Sequence, residues 1–383
     1  MRSIIESLPG SKIREVANAG LGRSDVLAFW FGESDEPTPD FIREAAVRSL
    51  GEGETFYAHN LGLPELRAAL AGYVSSLHRV VTPQRIAVTS SGVNALMLAM
   101  QALAGAGDEV VAVVPVWPNL TAQPAILGAR VTRVSLKAEG GTWRLDLDQL
   151  LDAVTKNTKV LLVNAPNNPT GWTLTRAEQQ AILAHCRRTG TWIVADEVYE
   201  RVYFSGDRGV APSFLDVAEP DDRLVVVHSF SKSFLMTGWR LGWMVVPEAL
   251  IDAVGKLIEF NTSCAPVFVQ RAGLAALAHA DAFVPGLVQR LKGCRDTLLP
   301  RLAALPGIAV AVPEGGMYAF FSVQGQDDSL QFAKQLVVEA GLGLAPGVAF
   351  GPESEGWLRW CYASRDPSRL EEGVGRLARF LGL

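Results

Sequence analysis

Four short stretches of this sequence place polar, chemically capable residues directly after apolar runs: Ser90-Ser91-Gly92, Asn167-Asn168-Pro169-Thr170-Gly171, Asp196-Glu197-Val198-Tyr199 and Ser229-Phe230-Ser231-Lys232. Lys232 is a primary amine among cationic and apolar neighbours, which lower an ammonium pKa and favour imine formation with a carbonyl. Asp196 closes the apolar run Trp192-Ile193-Val194-Ala195, and a carboxylate buried there needs a cation. Ser91, Gly92 and Val93 open an expected helix, where free N–H groups and the helix dipole suit a phosphate. Ser229, Ser231 and Arg240 add hydroxyls and a guanidinium able to grip phosphate oxygens. Trp117, shortly after Pro115, offers a flat face to an aromatic ring.

An amine, a carboxylate awaiting a ring cation, an anion cradle and an aromatic face together describe a seat for pyridoxal phosphate. Taken singly the parts are ordinary. Ser-Ser-Gly before a helix is a common turn and cap, a strand-end Asp commonly caps a helix, Asn-Pro-Thr-Gly is a plain turn, and an isolated lysine is usually solvated. Their agreement in one chain is what carries weight.

The elements that must position these residues can be read from hydrophobic patterning. Expected strands are Arg85–Ser90, Glu109–Val114, Lys159–Asn164, Thr191–Asp196, Leu224–Ser229 and Leu241–Val246. Each is apolar on consecutive positions, which fits strands covered on both faces of a mostly parallel sheet. Helical patterns lie between them. Gly92–Leu103 carries Leu96, Met100 and Leu103 on one stripe, and Thr175-Arg176-Ala177-Glu178 is a capping box opening a helix that ends near Gly190. This alternation predicts an α/β domain from about residue 47 to 282, a sheet sandwiched by helices that would hold the cofactor. Long amphipathic patterns at Ala282–Leu305 and Ser368–Leu381, with a β-like stretch Met317–Val323 between them, predict a smaller α+β domain. Residues 1–46 and 283–383 would form it. In open α/β sheets ligands bind beyond the carboxyl ends of the strands, where all four polar stretches fall.

Composition narrows the function class. The chain has 383 residues, 49% of them hydrophobic and 20% charged, with a formal charge of −5. That is a folded globular protein with no global attraction for nucleic acid or an anionic membrane. No apolar run approaches membrane-spanning length and the first ten residues lack a signal-peptide core, so a cytoplasmic protein is expected. Cys186, Cys264, Cys294 and Cys361 are scattered without metal or disulfide spacing and are expected to be buried and reduced. His59, His78, His185, His228 and His279 show no ligand spacing either, and no metal is expected.

The order of the motifs resembles the class I/II aminotransferases, the fold-type-I group of pyridoxal-phosphate enzymes that includes aspartate-aminotransferase-like proteins. The likeness runs from about Val26 to Phe380. It takes in Gly32, Pro37-Thr38-Pro39, Tyr57-Ala58-His59-Asn60-Leu61-Gly62, Ser91-Gly92-Val93, Trp117-Pro118-Asn119 and Asn167-Asn168-Pro169-Thr170-Gly171. Its most specific parts are Asp196-Glu197-Val198-Tyr199, Ser229-Phe230-Ser231-Lys232, Thr237-Gly238-Trp239-Arg240-Leu241-Gly242 and Arg359 in Leu358-Arg359-Trp360.

The resemblance implies a role for each matching residue. Lys232 would carry the cofactor as a Schiff base and then shuttle a proton, with Asp196 keeping the pyridine nitrogen protonated. Asn168 and Tyr199 would bond the ring's 3-oxygen, and Trp117 would stack on the ring. Ser91, Gly92, Val93, Ser229, Ser231 and Arg240 would hold the phosphate. Tyr57 would reach the phosphate of the neighbouring subunit, implying a homodimer. Arg359 would bind the substrate α-carboxylate, with Gly32 and Asn168 nearby. Arg365 is the competing choice, but Arg359 lies in a strand-like stretch at the family's position.

The expected reaction is ping-pong transfer of an amino group from an L-amino acid to a 2-oxo acid. Phe29, Trp30, Phe31, Trp117 and Tyr318 are candidates for an apolar side-chain pocket, and Val93 stands where some relatives place a lysine. Two alternatives remain open at this point: a β-lyase or other pyridoxal-phosphate chemistry, and a non-catalytic cofactor-binding regulator.

Overall fold

A computed structural model describes residues 1–383. Its centre is a seven-stranded sheet built from β1 (Ile86–Thr89), β2 (Glu109–Val114), β3 (Arg130–Ser135), β4 (Thr158–Asn164), β5 (Trp192–Asp196), β6 (Leu224–Ser229) and β7 (Gly242–Val245), in the order β1-β7-β6-β5-β4-β2-β3. Strands β6, β5, β4, β2 and β3 run parallel, while β7 is antiparallel to β6 and β1. The consecutive Val, Ile and Leu residues make these strands because β-branched side chains fit a pleated surface covered on both faces. Every residue of β1, β6 and β7 is buried.

Six of these strands coincide within two residues with the expected ones. The seventh, β3, was not anticipated. Its sequence Arg-Val-Thr-Arg-Val-Ser lies at the sheet edge, mostly half-buried, so it lacks the continuous apolar run that identifies an interior strand.

Helix α1 (Lys12–Ala19) begins at Ser11, whose side chain accepts the Arg14 N–H. Helix α2 (Pro64–Leu77) ends at His78, and α3 (Gly92–Leu103) follows β1 directly. The capping box at Thr175 and Glu178 forms as expected, and α4 (Arg176–Thr189) stops at Gly190 in the left-handed conformation. Because β4, β5 and β6 run parallel, their carboxyl ends lie at one edge of the sheet.

A second, four-stranded sheet consists of β8 (Ile308–Val310), β9 (Tyr318–Val323), β10 (Ala345–Pro346) and β11 (Trp357–Cys361), ordered β8-β9-β11-β10 and all antiparallel. Helices α5 (Ala280–Ala303) and α6 (Ser368–Phe380) flank it. The N-terminal segment joins this side of the molecule: Leu27–Ala28 pairs with Leu342–Gly343, and Glu15 on α1 bonds Lys334. The fold is α/β, with a mostly parallel sheet between helices and a smaller α+β part. No helix is long and apolar enough to cross a membrane. All four cysteines are free; Cys264 is only half-buried, the others fully.

Candidate active site

A cavity of about 430 Å³ opens where the carboxyl ends of β4, β5 and β6 face α1 and the second sheet. Gly32, Gly92, Val93, Trp117, Asn168, Asp196, Tyr199, Ser229, Ser231, Lys232, Arg240 and Arg359 all contribute to its wall. Twelve of the fourteen residues named from the sequence therefore meet in one place. Ser91 lies just outside, its hydroxyl taken by the Asn94 N–H at 3.1 Å as a helix cap. Tyr57 also lies outside the wall and is 89% exposed beside exposed Phe56.

Strand β5 delivers Asp196 and the loop after β6 delivers Lys232. Asp196 is 4% exposed, and its carboxylate accepts only the Val198 N–H, at 3.3 Å. Burial pushes it up to about 6, against the opposing pull of that N–H, His228 and Lys232. A carboxylate held in this way lacks a cationic hydrogen-bond donor. The Lys232 amine donates to the Gly32 carbonyl. Burial, joined by the charges of Arg359 and Arg240, lowers it to about 8, with Cys361 and Glu33 opposing. An amine so depressed is a nucleophile near neutral pH.

Arg359 sits on β11 opposite Phe320 and is 2% exposed. Its Nη1 donates to Asn168 Oδ1 at 2.9 Å and its Nη2 to the Trp30 carbonyl at 2.5 Å. The guanidinium lies over the rings of Tyr318 and Phe350, at 4.4 and 4.9 Å. No carboxylate of the chain pairs with it, and its buried Nε has no partner. A planar fork fixed at both ends suits an incoming carboxylate. Arg365 is exposed and outside the cavity, its backbone N–H bonded to Asp35.

The far end of the cavity is an anion cradle. Ser229 Oγ bonds both the Ser231 hydroxyl, at 2.9 Å, and the Ser231 N–H, at 3.1 Å. The start of α3 is pressed against β7 so closely that a Cβ on Gly242 would lie 2.5 Å from the Gly92 nitrogen. Arg240, in the left-handed conformation at φ 55°, donates to the Thr237 carbonyl and has no acidic partner. A helix N-terminus, two hydroxyls and a free guanidinium fit a phosphate. With buried Asp196, which has no cationic donor, fitting a ring N–H⁺ and Trp117 supplying an aromatic face, the residues present fit pyridoxal phosphate.

Several wall residues were not singled out from sequence. Asn164, at the end of β4, fixes the Asn168 turn: its Oδ1 accepts the Asn168 N–H at 2.7 Å and its Nδ2 donates to the Asp196 carbonyl at 3.0 Å. A polar residue closing an apolar strand was the available signal. Ser11, Ile13 and Arg14 come from α1 and its cap, and nothing local in the sequence marks them. Of the aromatic candidates, Phe31, Trp117 and Tyr318 reach the cavity. Phe29 and Trp30 do not: Phe29 packs on Trp360 at 5.0 Å, and Trp30 fills the space over Gly20 and Gly343.

An α/β sheet that gathers a depressed lysine, a buried aspartate and an anion cradle at its strand ends defines an enzyme of the pyridoxal-phosphate kind. Comparison with known proteins agrees. Residues 24–377 match the family described as aminotransferase class I and II. A probable aspartate/prephenate aminotransferase of Aquifex aeolicus is 35% identical over 97% of this chain and 94% of its own. The crystal structure of the Thermotoga maritima aspartate aminotransferase superposes with a TM-score of 0.92 at 33% identity, covering 100% of both chains. An aromatic aminotransferase of Pyrococcus horikoshii superposes with a TM-score of 0.87 at 30% identity, covering 96% of this chain and 98% of its own. The chain belongs to the class I and II aminotransferases, pyridoxal-phosphate-dependent enzymes that move an amino group from an amino acid to a 2-oxo acid.

Proposed function

We propose that Lys232 is the attachment and proton-transfer residue of this aminotransferase and that Asp196 pairs with the pyridine nitrogen. The observation that carries the reading is that a buried carboxylate with no cationic partner and a depressed amine line one cavity. Gly92, Val93, Ser229, Ser231 and Arg240 hold the phosphate, with Ser91 fixing the start of α3. Trp117 stacks on the ring, and Asn168 and Tyr199 serve its 3-oxygen. The cofactor-holding domain spans about residues 47–282 and the smaller one takes the remainder.

When bound, pyridoxal phosphate supplies a ring that takes up the electron pair released at the substrate Cα. Arg359 receives the α-carboxylate, with Asn168 and the Trp30 carbonyl setting the plane of its fork and Gly32 making room for the Tyr318 hydroxyl beside it. Lys232, neutral above about pH 8, would take the proton from the substrate Cα and hand it on across the intervening nitrogen. Asp196 keeps its negative charge against the ring nitrogen because a cation there offsets its burial.

For the side chain, Ile13, Phe31, Val93 and Leu96 make an apolar wall, which supports a neutral or aromatic donor. Arg14, stacked over Phe31 at 5.3 Å and paired with no carboxylate, is the group an acidic acceptor would meet. Half-reaction spectra against a panel of amino acids would rank donors directly. Exposed Phe56, Tyr57 and Phe260 support a homodimer in which Tyr57 reaches the partner's phosphate site, in a protein of the cytoplasm. The test of the whole reading is Lys232→Ala, which should abolish the bound cofactor's lysine-dependent absorbance and nearly all turnover. Retention of both would refute it.

A further inference from the structure

Five ionisable side chains cluster near Asp196 but outside the cavity wall: the enclosed His78, Glu197, Glu200 and His228, and the half-buried Asp216. The His78 ring is fully enclosed, with Nε2 3.0 Å from Glu200 Oε2 and Nδ1 3.2 Å from Asp216 Oδ1. An imidazole that faces a carboxylate at each nitrogen can donate to both only as the cation. Burial works against that cation, but the hydrogen bonds to Asp216 and Glu200 prevail and hold His78 up to about 10. Glu200 Oε1 also lies 3.4 Å from His228 Nδ1, without hydrogen-bond alignment.

The cluster spans four parts of the fold. His78 caps α2, His228 sits on β6 one residue before Ser229, and Asp216 closes the turn after Ser213. Glu200 belongs to the turn that follows Asp196, where its N–H bonds the Glu197 carbonyl at 2.9 Å and its carbonyl accepts the Ala211 N–H at 2.8 Å. The Glu197 carboxylate is occupied by the Ser213 hydroxyl and the Phe214 N–H, at 2.5 and 3.0 Å. Arg208 stands 3.7 Å from Asp216, and Tyr73, bonded to Arg201, lies alongside. Although Glu197, Glu200 and His228 bring ligand atoms within 4.8 Å of one another, these hydrogen bonds already occupy the carboxylates, and the cluster is an ion network.

We propose that His78 is a positioning residue for amino transfer: by clamping Glu200 it fixes the turn that follows Asp196 and carries Tyr199 against the cofactor ring. The proposal rests on the assignment of Asp196 made above. His78 touches neither substrate nor cofactor. Its charge offsets that of Glu200, which would otherwise raise the proton affinity of Asp196 and of the amine linkage at Lys232.

The test compares His78→Gln, which keeps the shape and removes the charge, with Glu200→Gln, which removes the opposite charge from the same pair. Three quantities are read on the holoenzyme: cofactor Kd by equilibrium dialysis, the pH midpoint of the bound cofactor's visible absorbance, and Tm. Both variants should bind cofactor about tenfold more weakly, and the midpoint should move about half a pH unit, upward in His78→Gln and downward in Glu200→Gln. His78→Lys, which restores a cation, should recover part of the His78→Gln shift. Either variant alone decides by the sign of its shift. A lowered Tm with the wild-type Kd and midpoint, or shifts of the same sign in both, overturns the proposal. A wild-type protein without lysine-dependent absorbance would instead sink the assignment beneath it.

Discussion

The hydroxyls of Tyr199 and Tyr318 stand 2.5 Å apart at the floor of the cavity, and the missing side chain of Gly32 makes the room. A Cβ on Gly32 would lie 2.1 Å from the Tyr318 hydroxyl. Burial, reinforced by Tyr318, raises the Tyr199 phenol well above its ordinary range, so it remains a donor throughout the working pH. Tyr318→Phe should retain the cofactor and lower kcat/KM about tenfold, the worth of one buried hydrogen bond of about 1.4 kcal/mol. Steady-state kinetics check this, and an unchanged kcat/KM would show that the pair only packs.

Arg359→Lys keeps the charge and removes the fork. With the bidentate contact and the hold on Asn168 both lost, KM for the amino donor should rise on the order of 100-fold, about 3 kcal/mol. kcat should fall less. Equal KM values in the two proteins would move the carboxylate site elsewhere.

The depressed amine of Lys232 gives a pH signature. Burial lowers it from 10.5 to about 8, so the neutral form of the cofactor-free protein accumulates as pH rises through about 8. The initial rate of cofactor uptake, followed by absorbance, should climb through that window. A climb only above about pH 10, the range of an exposed lysine, would contradict the environment described for it.

His78 should show its charge in stability as well. Its pKa is raised from 6.5 to about 10, so the native state binds the extra proton more tightly than the unfolded chain. The stabilisation is complete below about pH 6.5 and is lost as pH rises through about 10. Urea denaturation of wild type and His78→Leu should differ by about 3–5 kcal/mol near pH 6, and by clearly less above pH 10. A pH-independent difference would mean that packing, not charge, is what the ring supplies.

How much of this was legible in the sequence follows from what each residue depends on. Interior strands announced themselves by unbroken apolar runs, and the polar residues closing them marked the site. Edge strand β3 did not, because half its surface is wet and its pattern is mixed. Asp196 and Lys232 were legible because burial and neighbouring residue type govern their chemistry. Tyr318 was named for the pocket, but its hydroxyl bond to Tyr199 depends on a gap at Gly32, and His78 depends on partners more than a hundred residues away at Glu200 and Asp216. Such long-range contacts leave no local pattern. Phe29 and Trp30 show the reverse error: aromatic residues beside a site motif turned inward to pack on Trp360 and Gly343.

One reagent tests the central assignment at a single atom. Borohydride treatment of the holoenzyme should fix the cofactor irreversibly to the protein, and peptide mass spectrometry should find the added mass on Lys232 alone. Label on another lysine, or none on Lys232, would contradict the account.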